Sequence, residues 1–226
     1  MFHDLLNLFY PQICNCCDKP LLKHEAVICT LCLHQLPLTG YHNDNENATK
    51  KVFDARLSLE NATSLLYFGK KGLVQYLIHN LKYRKQEEVS AFLGRWLSEE
   101  LAYCSNFREV DCVVPVPLHR KKLKTRGFNQ VAGFGKELAS SLNATYIDDV
   151  LVKKSSSLTQ TLKKRVGRWG MLEETFMLKN RQKLENRHIL LVDDLVTTGA
   201  TLEACGNKLL TIKNTKLSIA TMAITH

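Results

Sequence analysis

Near the C-terminal end of this 226-residue chain, residues 189–201 read ILLVDDLVTTGAT. Branched aliphatic residues run straight into two adjacent carboxylates, Asp193 and Asp194, and then into Thr197, Thr198, Gly199, Ala200 and Thr201. Two ionised acids at the end of a buried strand are costly unless cations or hydroxyls satisfy them, so the pair asks for a polyol, a Mg2+ ion, or both. The residues that follow offer hydroxyls, a glycine and unobstructed backbone N–H groups at the start of a helix. That composition makes a nest for a dianionic phosphate. Carboxylates for a sugar diol beside a phosphate nest describe a ribose 5-phosphate.

A second cluster reads CNCCDKPLLKHEAVICTLC over residues 14–32. Cys14 with Cys17, and Cys29 with Cys32, form two C-x-x-C pairs. Each pair can set two thiolates on one metal, and two such knuckles complete a tetrahedral Zn2+ site with no open position, which makes the metal structural. Cys16 could replace Cys14 or Cys17, but the spacing leaves it spare. His24 and His34 are competing ligands or plain surface histidines. Cys104, Cys112 and Cys205 are scattered and read as small core or helix residues.

The third feature is charge. The chain carries a net +9, unevenly spread: residues 1–60 hold five Lys or Arg against seven Asp or Glu, so the remainder carries +11. Residues 112–136 contain six basic side chains and no acid, and residues 150–172 repeat that pattern. Such stretches favour phosphorylated ligands or nucleic acid, or form a solvated basic face.

These residues need elements to hold them. A hydrophobic content of 45% suits one α/β domain with a small appendage. No run approaches the roughly 18–20 apolar residues of a membrane helix, and the start, MFHDLLNLFYPQIC, lacks a basic n-region; a cytoplasmic protein is expected. The polar stretch 40–51 predicts a linker. Residues 62–69 suggest a strand, and 73–83 and 91–103 amphipathic helices that form a cap. Then come a strand at 111–117, a basic loop, a helix over 131–142, strand material at 144–152, and a polar basic loop over 155–170. A buried strand at 189–192, a helix over 201–210 and a strand at 217–224 complete the pattern. Alternating strands and helices argue for a parallel sheet covered on both faces, with ligands beyond the carboxyl ends of its strands. No G-x-x-x-x-G-K-S/T is present, and Gly133 and Gly135 sit within a helix, which disfavours ATPase and Rossmann dehydrogenase readings.

VDDLVTTGAT resembles the phosphoribosyl pyrophosphate (PRPP) loop of type I phosphoribosyltransferases. A phospho-receiver domain also ends an apolar strand in two acids, but its pair lies near its N-terminus without a threonine-glycine turn. Together with the cysteine pairs, VPVPLHRKKLKTRGFNQ and TQT at 159–161, the chain resembles the ComF (competence protein F) family. The resemblance implies a type I phosphoribosyltransferase fold, a Rossmann-like parallel sheet flanked by helices. It divides the chain into a four-cysteine zinc finger (1–40), a linker (41–60), a cap (61–105) and the core (106–226). Asp193 and Asp194 would then contact the ribose hydroxyls and residues 197–201 the 5-phosphate. Arg120, Lys121, Lys122, Lys124 and Arg126 would face the pyrophosphate, with Gly127 letting the backbone turn.

Asp193, Asp194 and Arg126 are the candidate catalytic residues, with Asp194 a charge stabiliser or base. Zn2+ is expected as structural metal and Mg2+ with PRPP. The family association with natural competence adds single-stranded DNA and the DNA-uptake machinery as partners, and the basic loop at 155–170 is a candidate lid. Met171 stands where family members often place an Asn. The acceptor pocket is expected from residues 67–103, where Lys82, Tyr83, Arg84 and Lys85 form a basic patch read as solvent-facing. An active transferase and a PRPP sensor without turnover are both consistent with this pattern.

Overall fold

The computed structural model describes residues 11–153 and 175–225. The strands are β1 (Ala62–Phe68), β2 (Cys112–Pro115), β3 (Thr145–Tyr146), β4 (Leu151–Lys153), β5 (Phe176–Leu178), β6 (His188–Val196) and β7 (Lys216–Thr225). Five of them form a wholly parallel sheet in the order β1-β7-β6-β2-β3, while β4 and β5 pair antiparallel as a separate ribbon. The helices are α1 (Thr30–Gln35), α2 (Ala48–Lys51), α3 (Leu73–Tyr83), α4 (Glu87–Ala102), α5 (Arg120–Arg126), α6 (Ala132–Ser141) and α7 (Ala200–Leu209).

Strand β6 lies between β7 and β2 and is covered on both faces, so its sequence is continuously apolar from Ile189 to Val192. Alternation along the strand sends Leu190 and Val192 to one side, where α3, α4 and α6 supply Leu77, Leu81, Leu93, Phe134 and Leu138. Ile189 and Leu191 go to the other side, against Leu202, Cys205 and Leu209 of α7 and Phe53. The scattered cysteines Cys104, Cys112 and Cys205 are buried, as their composition implied.

Three segments differ from the pattern expected of the sequence. The expected linker is folded: buried Asn47 caps α2, and its amide donates to the carbonyls of Tyr41, Asp44 and Ala62. Thr49 meets Ser64 at 2.8 Å, and Phe53 is 1% exposed. Polar residues that looked like solvated spacer are consumed as caps and internal hydrogen bonds. The basic loop is also a helix, α5, started by His119 Nδ1 accepting from the Lys121 N–H and stopped by Gly127 at φ +88°, the left-handed conformation favoured past helix ends. The stretch 144–152 divides between β3 of the main sheet and β4 of the ribbon.

The cysteine-rich segment packs onto the same core as α3 and α4. Cys14, Val27, Ile28, Cys32 and Leu36 share a buried cluster with Leu77, Leu81 and Leu93. Asn80 of α3 donates its amide to the Asn15 carbonyl at 2.9 Å, and Glu25 accepts from the Thr30 N–H, fixing the start of α1. The expected lid over 155–170, TQT at 159–161 and Met171 lie outside the described residues.

Candidate functional site

The strand order singles out a candidate ligand position. From β2 the chain turns outward through α6 to β3, and from its neighbour β6 it turns the opposite way through α7 to β7. The two helices lie on opposite faces of the sheet. The carboxyl ends of β2 and β6 therefore meet at a topological switch point, where the connecting loops diverge and open parallel sheets take their ligands. Helix α5 follows β2 there, and the threonine-glycine turn follows β6.

Asp193 and Asp194 are within β6 rather than beyond it, because β7 continues the ladder as far as Val196 opposite Ile224. Strand alternation sends these neighbours to opposite faces. Asp194, 6% exposed, points toward α3 and α6. Its Oδ1 receives Lys82 Nζ at 2.9 Å and its Oδ2 receives Gln130 Nε2 at 2.7 Å. Gln130 in turn accepts from Arg126 Nη1 at 2.7 Å, and the Arg126 guanidinium sits 5.5 Å from the Tyr83 ring. A continuous polar chain, Lys82–Asp194–Gln130–Arg126, thus joins α3, β6 and α5.

Asp193 lies toward α7, where its charge adds to burial in raising the Cys205 thiol. Burial, with Asp194 beside it, pushes the Asp193 carboxyl up to about 7, against the lowering effect of the Asp194 N–H that donates to its Oδ1 at 2.9 Å. Lys82 and Lys153 also favour its charged form. The expectation that Lys82 faces solvent is therefore corrected: the amine is drawn inward by a buried carboxylate. Lys82 and Gln130 are partners of Asp194 that the sequence did not disclose, since only the fold brings positions 82, 130 and 194 together.

Thr197 and Thr198 are exposed, Gly199 precedes α7 at φ +75°, and Ala200 and Thr201 open that helix. A Cβ on Gly199 would stand 2.7 Å from Phe53 Cε1 and 2.8 Å from Val52 Cγ1, so both conformation and space require glycine. Arg120, Lys121, Lys122 and Lys124 are exposed on α5, and only Arg126 of that group is drawn into the polar chain. Gly135, which failed as a dinucleotide fingerprint, serves helix packing instead: a Cβ there would meet the Tyr146 ring at 2.9 Å.

In the N-terminal segment, the Sγ atoms of Cys14, Cys17, Cys29 and Cys32 all lie within 4.8 Å of one another. Zn–S bonds of about 2.3 Å in a tetrahedron put sulfurs roughly 3.8 Å apart, and Cys17 Sγ lies 3.8 Å from Cys29 Sγ. The N–H groups of Cys16 and Cys29 donate to Cys14 Sγ at 3.4 and 3.2 Å, the outer support that thiolate ligands receive. The donor set fits zinc. Cys16, His24 and His34 are not part of it.

Residues 132–224 match the family model of the phosphoribosyl transferase domain. The chain is 26% identical over 204 residues to competence protein ComFC of Bacillus subtilis, covering 88% of this chain and 78% of that protein. It is 29% identical over 137 residues to the DNA utilization protein YhgH of Escherichia coli, covering 59% of this chain and 60% of that relative's length. Competence protein F of Haemophilus influenzae is 25% identical over 130 residues, with 56% and 57% covered. Among solved structures, a glutamine PRPP amidotransferase from B. subtilis aligns with a TM-score of 0.43 at 18% identity, over 64% of this chain and 30% of that one. An adenine phosphoribosyltransferase from Thermoanaerobacter pseudethanolicus aligns with a TM-score of 0.38 at 16% identity, over 63% and 83%. Among the described residues, no helix is long and apolar enough to cross a membrane.

Proposed function

We propose that this chain, a ComF/ComFC-like protein with a type I phosphoribosyltransferase-like α/β fold and an N-terminal four-cysteine cluster consistent with a zinc-binding module, binds PRPP with Mg2+ and acts in the handling of incoming DNA. The observation that carries the first half is that an acid pair, a threonine-glycine turn and a basic helix all follow from the carboxyl ends of β2 and β6, with the acid strand and the basic helix joined by Lys82–Asp194–Gln130–Arg126. Ligands of open parallel sheets bind at such a place.

In this reading the N–H groups and hydroxyls of residues 197–201 take the 5-phosphate, at the positive end of α7. Asp193 and Asp194 serve the ribose hydroxyls. Arg120, Lys121, Lys122 and Arg126 face the pyrophosphate. The residues fit a Mg2+ ion of the kind held by one or two carboxylates plus ligand phosphates, and Asp193 is the carboxylate for it, since both oxygens of Asp194 already accept hydrogen bonds. The ion would neutralise charge on the pyrophosphate. In a transfer reaction the bond from the anomeric carbon to the pyrophosphate oxygen breaks, positive charge develops on the sugar, and a nitrogen nucleophile attacks the opposite side. Arg126, fixed by Gln130 and by the Tyr83 face, is preorganised for the leaving charge. Asp194 suits the role of charge stabiliser better than base, because Lys82 and Gln130 occupy both of its oxygens. The cap delivers Lys82 to the same cleft, which supports an acceptor position beneath α3.

Calorimetric titration with PRPP and Mg2+ tests binding: the Asp193→Asn, Asp194→Asn double variant should lose affinity, and equal affinity sinks the assignment. Pyrophosphate release on incubation with candidate nitrogen acceptors separates a transferase from a PRPP sensor. The DNA half rests on the relatives named for competence and DNA utilization, supported by the exposed cations of α5. Fluorescence anisotropy with labelled single-stranded DNA should give salt-dependent binding, and no binding at low salt eliminates it.

A further inference from the structure

We infer that Arg56 is a positioning residue for the phosphate-binding turn, neutralising Glu203 and fixing the peptide between Thr198 and Gly199; this rests on the phosphate reading of that turn. Arg56 comes from the stretch that looked like a linker, yet its guanidinium reaches across to the start of α7. Nη1 donates to Glu203 Oε2 at 2.9 Å. Nη2 donates to the Thr198 carbonyl at 3.2 Å and to the Val52 carbonyl, and the group lies 5.9 Å from the Phe53 ring.

Two physical consequences follow. Glu203 stands in the first turn of α7, the positive end of the helix that the phosphate would use. Left alone, that carboxylate would compete with the dianion for the same N–H groups and repel it. Paired with Arg56 it is neutralised, and the turn keeps its attraction for phosphate. The second consequence is geometric. A trans peptide holds C=O and N–H in one plane on opposite sides, so a carbonyl of Thr198 held by Arg56 directs the Gly199 N–H away from Arg56. Phe53 and Val52 wall the turn on their side, leaving no room even for a Cβ. One planar fork therefore sets the charge and the donor direction together, which an ammonium cannot reproduce.

The experiment compares the full chain with Arg56→Gln and with Glu203→Gln, titrating ribose 5-phosphate and, separately, inorganic pyrophosphate, which should use the basic helix. Losing a hydrogen-bonded guanidinium of this kind should weaken ribose 5-phosphate binding about ten-fold or more, and leave pyrophosphate binding within about two-fold of the wild type. Glu203→Gln removes the competing charge while Arg56 keeps its two carbonyls, so it should bind ribose 5-phosphate at least as tightly as the wild type. Unchanged ribose 5-phosphate affinity in Arg56→Gln, an equal loss for both ligands, or weaker binding by Glu203→Gln overturns the inference while leaving the phosphate site standing. If the wild type itself takes no ribose 5-phosphate, the phosphate reading falls and this inference with it. Should Arg56→Gln fail to fold, Glu203→Gln decides alone.

Discussion

Replacing Lys82 by Met tests whether α3 is held to the acid strand by a buried ion pair. Lys82 Nζ lies 2.9 Å from Asp194 Oδ1, with the two side chains 20% and 9% exposed. At that separation and an effective dielectric near 20, the bare attraction is about 6 kcal/mol, most of it offset by the desolvation of both ions. What matters for the variant is the carboxylate left behind. Breaking one side of a buried pair typically costs about 3–5 kcal/mol. Here Gln130 still donates to Oδ2 and the Lys82 position is not sealed from water, which places the loss at about 2–3 kcal/mol. For a domain of this size that lowers the melting temperature by roughly 5–10 °C. Lys82→Met combined with Asp194→Asn should recover most of the loss, because the stranded charge is gone. Differential scanning calorimetry on the four proteins closes the cycle. A Lys82→Met melting point within about 1 °C of the wild type, or a double variant that loses the sum of both singles, would refute the buried pair.

Gly199→Ala should destabilise more than Gly127→Ala. Both adopt positive φ, a strain of about 1–2 kcal/mol for alanine, but Gly127 has open space around it while Gly199 meets Phe53 and Val52 below 3 Å. Crowding adds about 1–3 kcal/mol at Gly199 alone, and equal melting temperatures for the two variants would contradict the packing argument. Metal analysis of the purified protein should give about one zinc per chain, retained in Cys16→Ser and lost in Cys29→Ser with Cys32→Ser; loss in Cys16→Ser would reassign the ligands. Asp193 predicts a pH dependence. Its carboxyl is pushed up to about 7, against about 4 when unfolded. The native state therefore holds a proton that the unfolded chain has released across that window, so this group's contribution to stability falls as pH rises toward 7 and is level above it. Asp193→Asn removes the fall, and its urea midpoint should gain on the wild type between pH 5 and pH 8; parallel midpoints would show that the carboxyl is not raised.

Local pattern disclosed some of this molecule and concealed the rest for definable reasons. Strand β6 announces itself by the apolar run from Ile189 to Val192 that burial on both faces demands, and α3 because leucines recur at 73, 77 and 81. The four zinc-fitting cysteines are equally plain, since two knuckles are local in sequence. Residues 41–60 misled because asparagine and aspartate serve solvated loops and helix caps alike. Only the carbonyls of Tyr41, Asp44 and Ala62, gathered by the amide of the buried Asn47, separate the two uses. The basic helix α5 was hidden by its charge, having no apolar stripe to reveal its period.

The candidate site was legible at one end of each interaction only. Asp194 carries a sequence signal because a charge at the end of an apolar strand is anomalous, whereas Lys82, its partner, is a lysine near a helix end, an ordinary place for one. The same holds for Arg56, whose partner Glu203 is 147 positions away. An acid forced inward by the strand period demands a cation, but any surface lysine or arginine could be that cation until the topology chooses. Here the choice falls on residues of two segments, 41–60 and 73–83, that precede the matched domain at 132–224. It follows that the domain alone would keep the acid pair and the threonine-glycine turn but lose the counter-charges of Asp194 and Glu203. The N-terminal third of the chain thus supplies the counter-charges at the carboxyl end of β6 and at the start of α7.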